Sequence, residues 1–344
     1  MATRSLVAMT AVPMGLMFAA AGDRPALAQA DVDFSGKTVT VLSSFASGGG
    51  YDTYARLYAA HVGRYIAGNP TVIVKNMPGA GGLVGANFLY SVASRDGTML
   101  GVVPQNVAIG QVLGSGGVKY DVAKYNWIGR INSNVEVQQV WHTAGVTTIE
   151  DVKNKPIVAA GTGPDSSSVV FPRILSEMFG MKFKVVSGYE GVSMVTLAME
   201  RGEVQSIARP WAMTKTSNPQ WLKDGTIRLL VQYTVARHPE LQDVPAVVEL
   251  GQTDSQRQIL GLYASGGEIG RSIMAPPEMA AVVVTNARRS FDATMKDEKF
   301  LTDIKRADLD FDPLPGEKLQ AIVEGVLKID PSVVESARQF SQQR

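Results

Sequence analysis

The sequence SFASGGGYDTYAR, residues 44–56, holds the turn on which the first half of the fold depends. The β-branched run at residues 38–42 precedes it and is typical of a strand. A helical pattern follows, with apolar side chains on one stripe from Tyr54 to Ile66. Between them, Gly48, Gly49 and Gly50 allow a sharp turn and the close approach of a ligand. A strand, a glycine turn and a helix N-terminus can bind an anion, although a tight turn without a ligand has the same pattern.

The same succession occurs twice more in the chain. A strand at residues 71–74 leads into NMPGAGG at 76–82, and a strand at 156–160 leads into GTGPDSSS at 161–168. The second of the three turns resembles the start of a dinucleotide fingerprint, but Val84 stands where the third glycine belongs, so a dinucleotide site is disfavoured. A further strand at 99–103 ends at Gln105 and Asn106, where α/β sheets place ligands.

The three turns share an absence of basic side chains. Residues 43–53, 76–85 and 161–168 contain no lysine or arginine. An anion bound there would be held by backbone N–H groups, by hydroxyls such as those of Ser166 and Ser167, and by helix ends. N-capping alone is the alternative role of the serines.

Two extended stretches divide the chain. Residues 127–141 read as a strand that leaves one domain and enters another, and residues 227–234 read as the return strand. We therefore predict a discontinuous first domain, 31–132 with 235–344, and an inserted second domain, 133–234. A strand near residues 273–274 and two or three amphipathic helices are expected in the C-terminal part.

The inserted domain contains Arg209-Pro210-Trp211 after a short apolar run. The arginine is suited to pair with an anion and the tryptophan to stack on a ring or chain. Ordinary core packing of Trp211 is an equally open interpretation.

The first thirty residues have the pattern of a secretory signal peptide. Arg4 precedes an apolar run at 6–21, and small residues allow cleavage after Ala28 or Ala30. A membrane anchor is less consistent with the charged and proline residues at 23–25.

Composition narrows the class of function. The chain has 45% hydrophobic and 19% charged residues, a net charge of +1 and no cysteine. This balance argues against nucleic acid or an anionic membrane as the main partner. Thiol catalysis and cysteine metal sites are excluded.

The motifs resemble those of the Bug receptors, the substrate-binding receptors of tripartite tricarboxylate transporters. The family's Gly-Gly-x-x-Asp-x-x-Ala-Arg corresponds to residues 48–56, and its Asn-x-Pro-Gly-Ala-Gly-Gly to residues 76–82. Departures at Ser44, Lys75, Met77 and Gln205 leave the identity of the ligand open.

This resemblance implies an α/β periplasmic-binding-protein fold of type II, the Venus-flytrap architecture, with a ligand cleft between two lobes. It implies a periplasmic receptor that captures a small organic carboxylate and delivers it to integral membrane transporter subunits. We expect a monomer with no cofactor, no metal and no nucleic-acid partner.

Two other functions are alternative interpretations of the sequence. A ligand-loading receptor for a sensor kinase has the same sequence pattern. An exported enzyme is disfavoured, because the chain has no Gly-x-Ser-x-Gly or His-Glu-x-x-His motif and only three histidines, His61, His142 and His238.

We predict no catalytic residue and assign ligand binding to the turn residues and the candidate cleft side chains. The predicted ligand-binding residues are Ser44, Phe45, Gly48, Gly49, Gly50, Asp52, Asn76, Pro78, Gly79, Ala80, Gly81, Gln105, Asn106, Thr162, Gly163, Asp165, Ser166, Ser167, Tyr189, Gly191, Arg209 and Trp211.

Overall fold

The computed structural model describes residues 32–161, 166–189 and 192–342. Strands and helices build two mixed β-sheets covered by helices, an α/β fold. The strands are β1 (Thr38–Ser43), β2 (Thr71–Asn76), β3 (Met99–Val102), β4 (Asn126–Asn132), β5 (Glu136–Trp141), β6 (Ile157–Gly161), β7 (Phe183–Ser187), β8 (Ser206–Pro210), β9 (Ile227–Gln232), β10 (Arg271–Ala275) and β11 (Leu314–Pro315).

The helices lie between the strands in the first part of the chain and predominate at its end. They are α1 (Gly50–Val62), α2 (Leu83–Ser91), α3 (Val107–Leu113), α4 (Ser167–Phe179), α5 (Val192–Glu200), α6 (Trp211–Ser217), α7 (Pro219–Lys223), α8 (Asp254–Ile269), α9 (Ala281–Thr294), α10 (Glu298–Arg306), α11 (Gly316–Leu327) and α12 (Pro331–Gln342). Among the described residues, no helix is long and apolar enough to cross a membrane.

The first sheet has the strand order β11-β4-β10-β3-β1-β2. Strands β2, β1 and β3 run parallel, whereas β10 is antiparallel to both β3 and β4. The alternating side chains of β1 explain its position, because Val39 and Val41 are buried in a cluster with Tyr58, Phe291 and Phe300 of the covering helices. The glycine turn after β1 therefore lies at the carboxyl edge of this sheet.

The second sheet has the order β7-β6-β8-β5-β9. Strands β7, β6 and β8 are parallel, and β5 is antiparallel to β8 and β9. Helix α4 packs Ile174 and Leu175 into the largest apolar cluster, and α5 packs Val195 and Met199 with Trp221. The end of β6 at Gly161 and the start of α4 at Ser167 thus lie at the carboxyl edge of the second sheet.

The chain passes from the first sheet to the second directly after β4. The extended stretch at 127–141 is two strands rather than one, since residues 133–135 separate β4 from β5 and each joins a different sheet. Strand β9 ends the second sheet, and β10 returns to the first. The exact lobe boundaries at 132/133 and 234/235 stay a prediction.

Two expectations about helices need correction. Four helices, α9 to α12, follow β10 in the described residues, instead of two or three, because Asp297, Pro315 and Pro331 each mark a new helix start. Helix α8 was not predicted from the sequence. Its N-cap, Thr253, accepts a hydrogen bond from the N–H of Gln256 in a capping box that is readable in the sequence.

Candidate functional site

A cleft of about 650 Å³ receives residues from both sheets and from the ends of α4 and α8. Its size is that of a site for a small organic molecule. Six of the predicted binding residues line it: Phe45, Gly81, Gln105, Asn106, Ser166 and Ser167. The carboxyl ends of parallel strands place these residues at one edge, as expected for α/β sheets.

An aromatic pair forms one wall of the cleft. The ring of Phe45 stacks on that of Tyr51 with centroids 4.2 Å apart. The Tyr51 hydroxyl accepts a hydrogen bond from the backbone N–H of Gln105 at 3.1 Å, which ties the first glycine turn to the end of β3. The Arg271 guanidinium lies 4.8 Å from the centre of the Tyr51 ring, a cation–π distance. Arg271 is thereby held over the wall.

Asp52 holds the first turn in shape from behind this wall. Its side chain is 1% exposed and accepts hydrogen bonds from the Gly48 N–H at 2.8 Å, Arg56 Nε at 2.8 Å and Asn76 Nδ2 at 2.7 Å. Burial opposes ionisation, but these hydrogen bonds outweigh it and lower the pKa of Asp52 to about 2. Asn76 also donates to the Phe45 carbonyl at 2.8 Å. Arg56 joins the start of α1 to this turn, and Asp52 and Asn76 act on the loop rather than on the cleft.

The second turn has a backbone that only glycine adopts without strain over most of its length. Four successive residues, 79–82, have positive φ. Gly82 has φ +92°, and a Cβ added there would lie 2.4 Å from Pro104 Cγ. Gly81 has φ +64° but open space around an added Cβ. Gly81 alone of the four lines the cleft.

This contrast gives a matched pair of stability predictions. Gly82→Ala is expected to lower the free energy of unfolding by about 3 kcal/mol, since left-handed strain and overpacking against Pro104 add together. Gly81→Ala is expected to cost only about 1 kcal/mol, from strain alone. Urea denaturation measures both values. Equal losses in the two variants would contradict this account of the turn.

Two charged side chains line the cleft in the described part of the chain, and neither was among the predicted binding residues. Arg271, the first residue of β10, donates from Nη1 to Gln105 Oε1 at 3.3 Å, and its buried Nε has no hydrogen-bond partner among the described residues. Glu136, the first residue of β5, accepts hydrogen bonds from Asn134 Nδ2 at 3.1 Å and from the Ser167 hydroxyl. Burial raises the pKa of Glu136, while the Ser167 hydrogen bond and the Arg271 charge lower it.

Strand direction explains why both were missed. The rule that ligands lie at carboxyl ends applies to parallel strands. Strands β10 and β5 run antiparallel to β3 and β8, so their first residues reach the same edge. A basic residue at the start of a strand was the available signal at Arg271. Tyr51, Asn134, Tyr233 and Phe171 also line the cleft and were not predicted.

Arg209 and Trp211 lie elsewhere, and we correct the expectation that they contact a ligand. Along β8 side chains alternate, so Ala208 and Pro210 line the cleft while Arg209 points away from it. Arg209 is 1% exposed, packs 5.3 Å from the Trp221 ring centre and donates to the Met213 carbonyl at 3.0 Å. Burial lowers its pKa to about 10. Trp211 donates from Nε1 to Glu240 Oε2 at 2.6 Å.

The remaining predicted residues are near the cleft without lining it, or lie outside the described residues. Ser44 is buried, and Gly48, Gly49, Gly50, Pro78, Gly79 and Ala80 are exposed parts of the two turns. Tyr189 packs on the apolar cluster that includes Trp221. Thr162, Gly163, Asp165 and Gly191 lie outside the described residues. Ligand contact by any of them stays a prediction.

Two α/β lobes, each with its own mixed sheet, and a cleft lined from both define a two-lobed solute-binding protein. The family model of the tripartite tricarboxylate transporter family receptor matches residues 55–321. The chain therefore belongs to the tripartite tricarboxylate transporter receptor family.

The chain is also similar to individual proteins. A UPF0065 protein of Cupriavidus necator is 27% identical over 260 residues, which are 71% of this chain and 73% of the relative. A TctC solute-binding protein from Polaromonas, solved without ligand, superposes with a TM-score of 0.66 at 16% identity and covers 87% of this chain and 98% of its own. The R. palustris protein Rpa4515, solved with adipate, has a TM-score of 0.63 at 20% identity, with 89% and 98% covered. These two structures support the fold.

Proposed function

We propose that this protein is an exported receptor that binds a small organic carboxylate in the cleft and delivers it to the membrane subunits of a tripartite transporter. The observation that carries the proposal is Arg271. It is the one cation among the cleft-lining residues described, and its guanidinium makes only one long hydrogen bond. A guanidinium fixed by an aromatic ring and open to a cleft is suited to a carboxylate. The adipate bound to the R. palustris relative is consistent with this ligand class.

Neutral donors around Arg271 would complete the carboxylate site. The amides of Gln105, Asn106 and Asn134 lie in the same lining. Each hydrogen bond to a charged acceptor contributes about 1.5–3 kcal/mol. Micromolar affinity needs about 8 kcal/mol. A few such contacts together with Arg271 are therefore sufficient after the cost of ordering the ligand.

We test the proposal by calorimetric titration of the purified exported protein with mono-, di- and tricarboxylates. At least one carboxylate should bind with micromolar or tighter affinity, and the corresponding alcohol or amide of the same carbon skeleton should not. If no carboxylate binds, or if the neutral analogue binds as tightly, the proposed ligand class is wrong.

The lobes, with boundaries at 132/133 and 234/235, are proposed to close on the ligand. In the described part of the chain two connections join the sheets, so rotation about residues 133–135 and the segment after β9 would bring Arg271 and Glu136 closer to the same ligand. Small-angle scattering is expected to show a smaller radius of gyration with a saturating carboxylate. An unchanged radius in a sample whose ligand occupancy has been verified by calorimetry would argue against closure.

Export is part of the proposed function. We expect cleavage after Ala28 or Ala30, so the mature protein begins at Gln29 or Asp31. Mass spectrometry of the periplasmic fraction measures this terminus. Recovery of the chain with Met1 still present would contradict a periplasmic location.

The proposed receptor carries out no chemical step and acts as a monomer with its membrane partners. Among the described residues, no histidine lines the cleft. His61 instead lies 2.9 Å from an Asp303 oxygen behind the first sheet, and His142 is exposed after β5.

A further inference from the structure

Among the described residues that line the cleft, one side chain is positive and one is negative, and they come from different sheets. Arg271 begins β10 of the first sheet, and Glu136 begins β5 of the second. Both act electrostatically on Tyr51, and the Arg271 charge partly offsets the rise in the pKa of the Glu136 carboxyl that burial causes. They nevertheless form no ion pair with each other in the part of the chain that the structure describes. Each charge is thus left to face the cleft.

Glu136 keeps acceptor capacity for a ligand. A carboxylate has about four lone-pair sites, and the described contacts of the Glu136 side chain use two of them, for Asn134 and Ser167. Its backbone carbonyl accepts the Tyr233 N–H at 2.8 Å, which fixes the start of β5. The carboxylate is therefore positioned, and it still accepts further hydrogen bonds.

This arrangement is unfavourable for a second carboxylate. A dicarboxylate that binds Arg271 with one end would bring its other carboxylate near that of Glu136. Like charges repel in a partly desolvated site, so this pose is unfavourable. An ammonium or hydroxyl at that end would instead donate to Glu136. An ammonium would also offset the burial that raises the pKa of Glu136.

We propose that Arg271 and Glu136 select a ligand with a carboxylate at one end and a hydrogen-bond donor, an ammonium foremost, at the other. This inference rests on the proposed carboxylate-receptor function and narrows its substrate class to amino acids and hydroxy acids. Because the two side chains belong to different sheets, such a ligand would bridge the lobes.

The experiment compares ligands of matched length that differ at one end. The purified exported protein is titrated with succinate and 4-aminobutyrate, glutarate and 5-aminopentanoate, and adipate and 6-aminohexanoate, together with the unsubstituted monocarboxylates. In at least one pair, the amino acid is expected to bind at least tenfold more tightly than the dicarboxylate and than the monocarboxylate.

The same titrations with Glu136→Gln assign the preference to this residue. The variant is expected to lose at least tenfold in affinity for the amino acid and to bind the matched dicarboxylate more tightly than the wild type does. Glu203→Gln is the control, because it removes the same charge at an exposed position whose ion pair with Arg201 is long, at 3.9 Å. This variant should keep the wild-type ratio of amino-acid to dicarboxylate affinity. Thermal unfolding of each variant shows whether it is folded.

Contrary outcomes separate the two proposals. If dicarboxylates bind and folded Glu136→Gln leaves the ratio within threefold of wild type, this inference is wrong and the receptor function stands. If Glu136→Gln weakens dicarboxylate binding, Glu136 acts as a protonated donor and the inference is also overturned. If no carboxylate of any series binds, the receptor function itself fails and the inference falls with it.

Discussion

Arg271→Gln is expected to weaken carboxylate binding at least a hundredfold, about 3 kcal/mol. The variant would lose the charge-assisted hydrogen bonds of the guanidinium and would leave the ligand near Glu136 without a compensating cation. Because glutamine is polar and smaller than arginine, it fits the site and the fold should persist. Calorimetry with one identified carboxylate measures the change.

Two further substitutions sharpen this prediction. Arg271→Lys keeps the charge but loses the planar donor geometry and the stacking on Tyr51, so an intermediate affinity is expected. Arg201→Gln removes an arginine that is 63% exposed and should leave affinity unchanged. An Arg271→Gln affinity within threefold of wild type would show that backbone donors alone hold the carboxylate.

That outcome would favour the picture drawn from the sequence, in which glycine turns and hydroxyls bind the anion. The turns were recognisable because glycine, proline and small polar residues follow β-branched runs at three places. Their position at one edge followed from the parallel strand rule, and Phe45, Gly81 and Gln105 do line the cleft.

The charged pair was not predictable in the same way. Arg271 and Glu136 each begin a strand, and the sequence of a single strand does not reveal whether it joins its neighbours parallel or antiparallel. Only the pairing of β10 with β3 and of β5 with β8 brings their first residues to the cleft. The prediction for Arg209 was wrong for a related reason. Side chains alternate along β8, so Arg209 lies on the face away from the cleft, and the register that decides this is set by tertiary contacts.

The role of Asp52 could also be assigned only from the structure. Its place in the first turn of α1 indicated a favourable interaction with the helix dipole. Its contacts with Arg56 and Asn76 link the first turn to the end of β2, a connection across two loops that local sequence does not specify. Asp52 of the first glycine motif and Asn76 of the second thus together hold the wall that Phe45 and Tyr51 form.

Asp52→Asn is expected to lower the free energy of unfolding at pH 7 by about 3 kcal/mol, because it removes a buried charge on which the Gly48 N–H, Arg56 and Asn76 converge. Urea denaturation measures the loss. Asp243→Asn, at an exposed position, is the matched control and should be within about 0.5 kcal/mol of wild type.

The pH dependence of this loss identifies its cause. The folded pKa of Asp52 is about 2, below the value of about 3.9 for an unfolded aspartate. The carboxylate therefore stabilises the fold fully above about pH 4, by roughly 2.6 kcal/mol, and this contribution disappears as the pH falls through about 2. The difference between wild type and Asp52→Asn should shrink over that interval, in a comparison restricted to conditions where both proteins are folded at zero denaturant. A difference that stays constant down to pH 2 would show that Asp52 acts through packing and neutral hydrogen bonds instead of its charge.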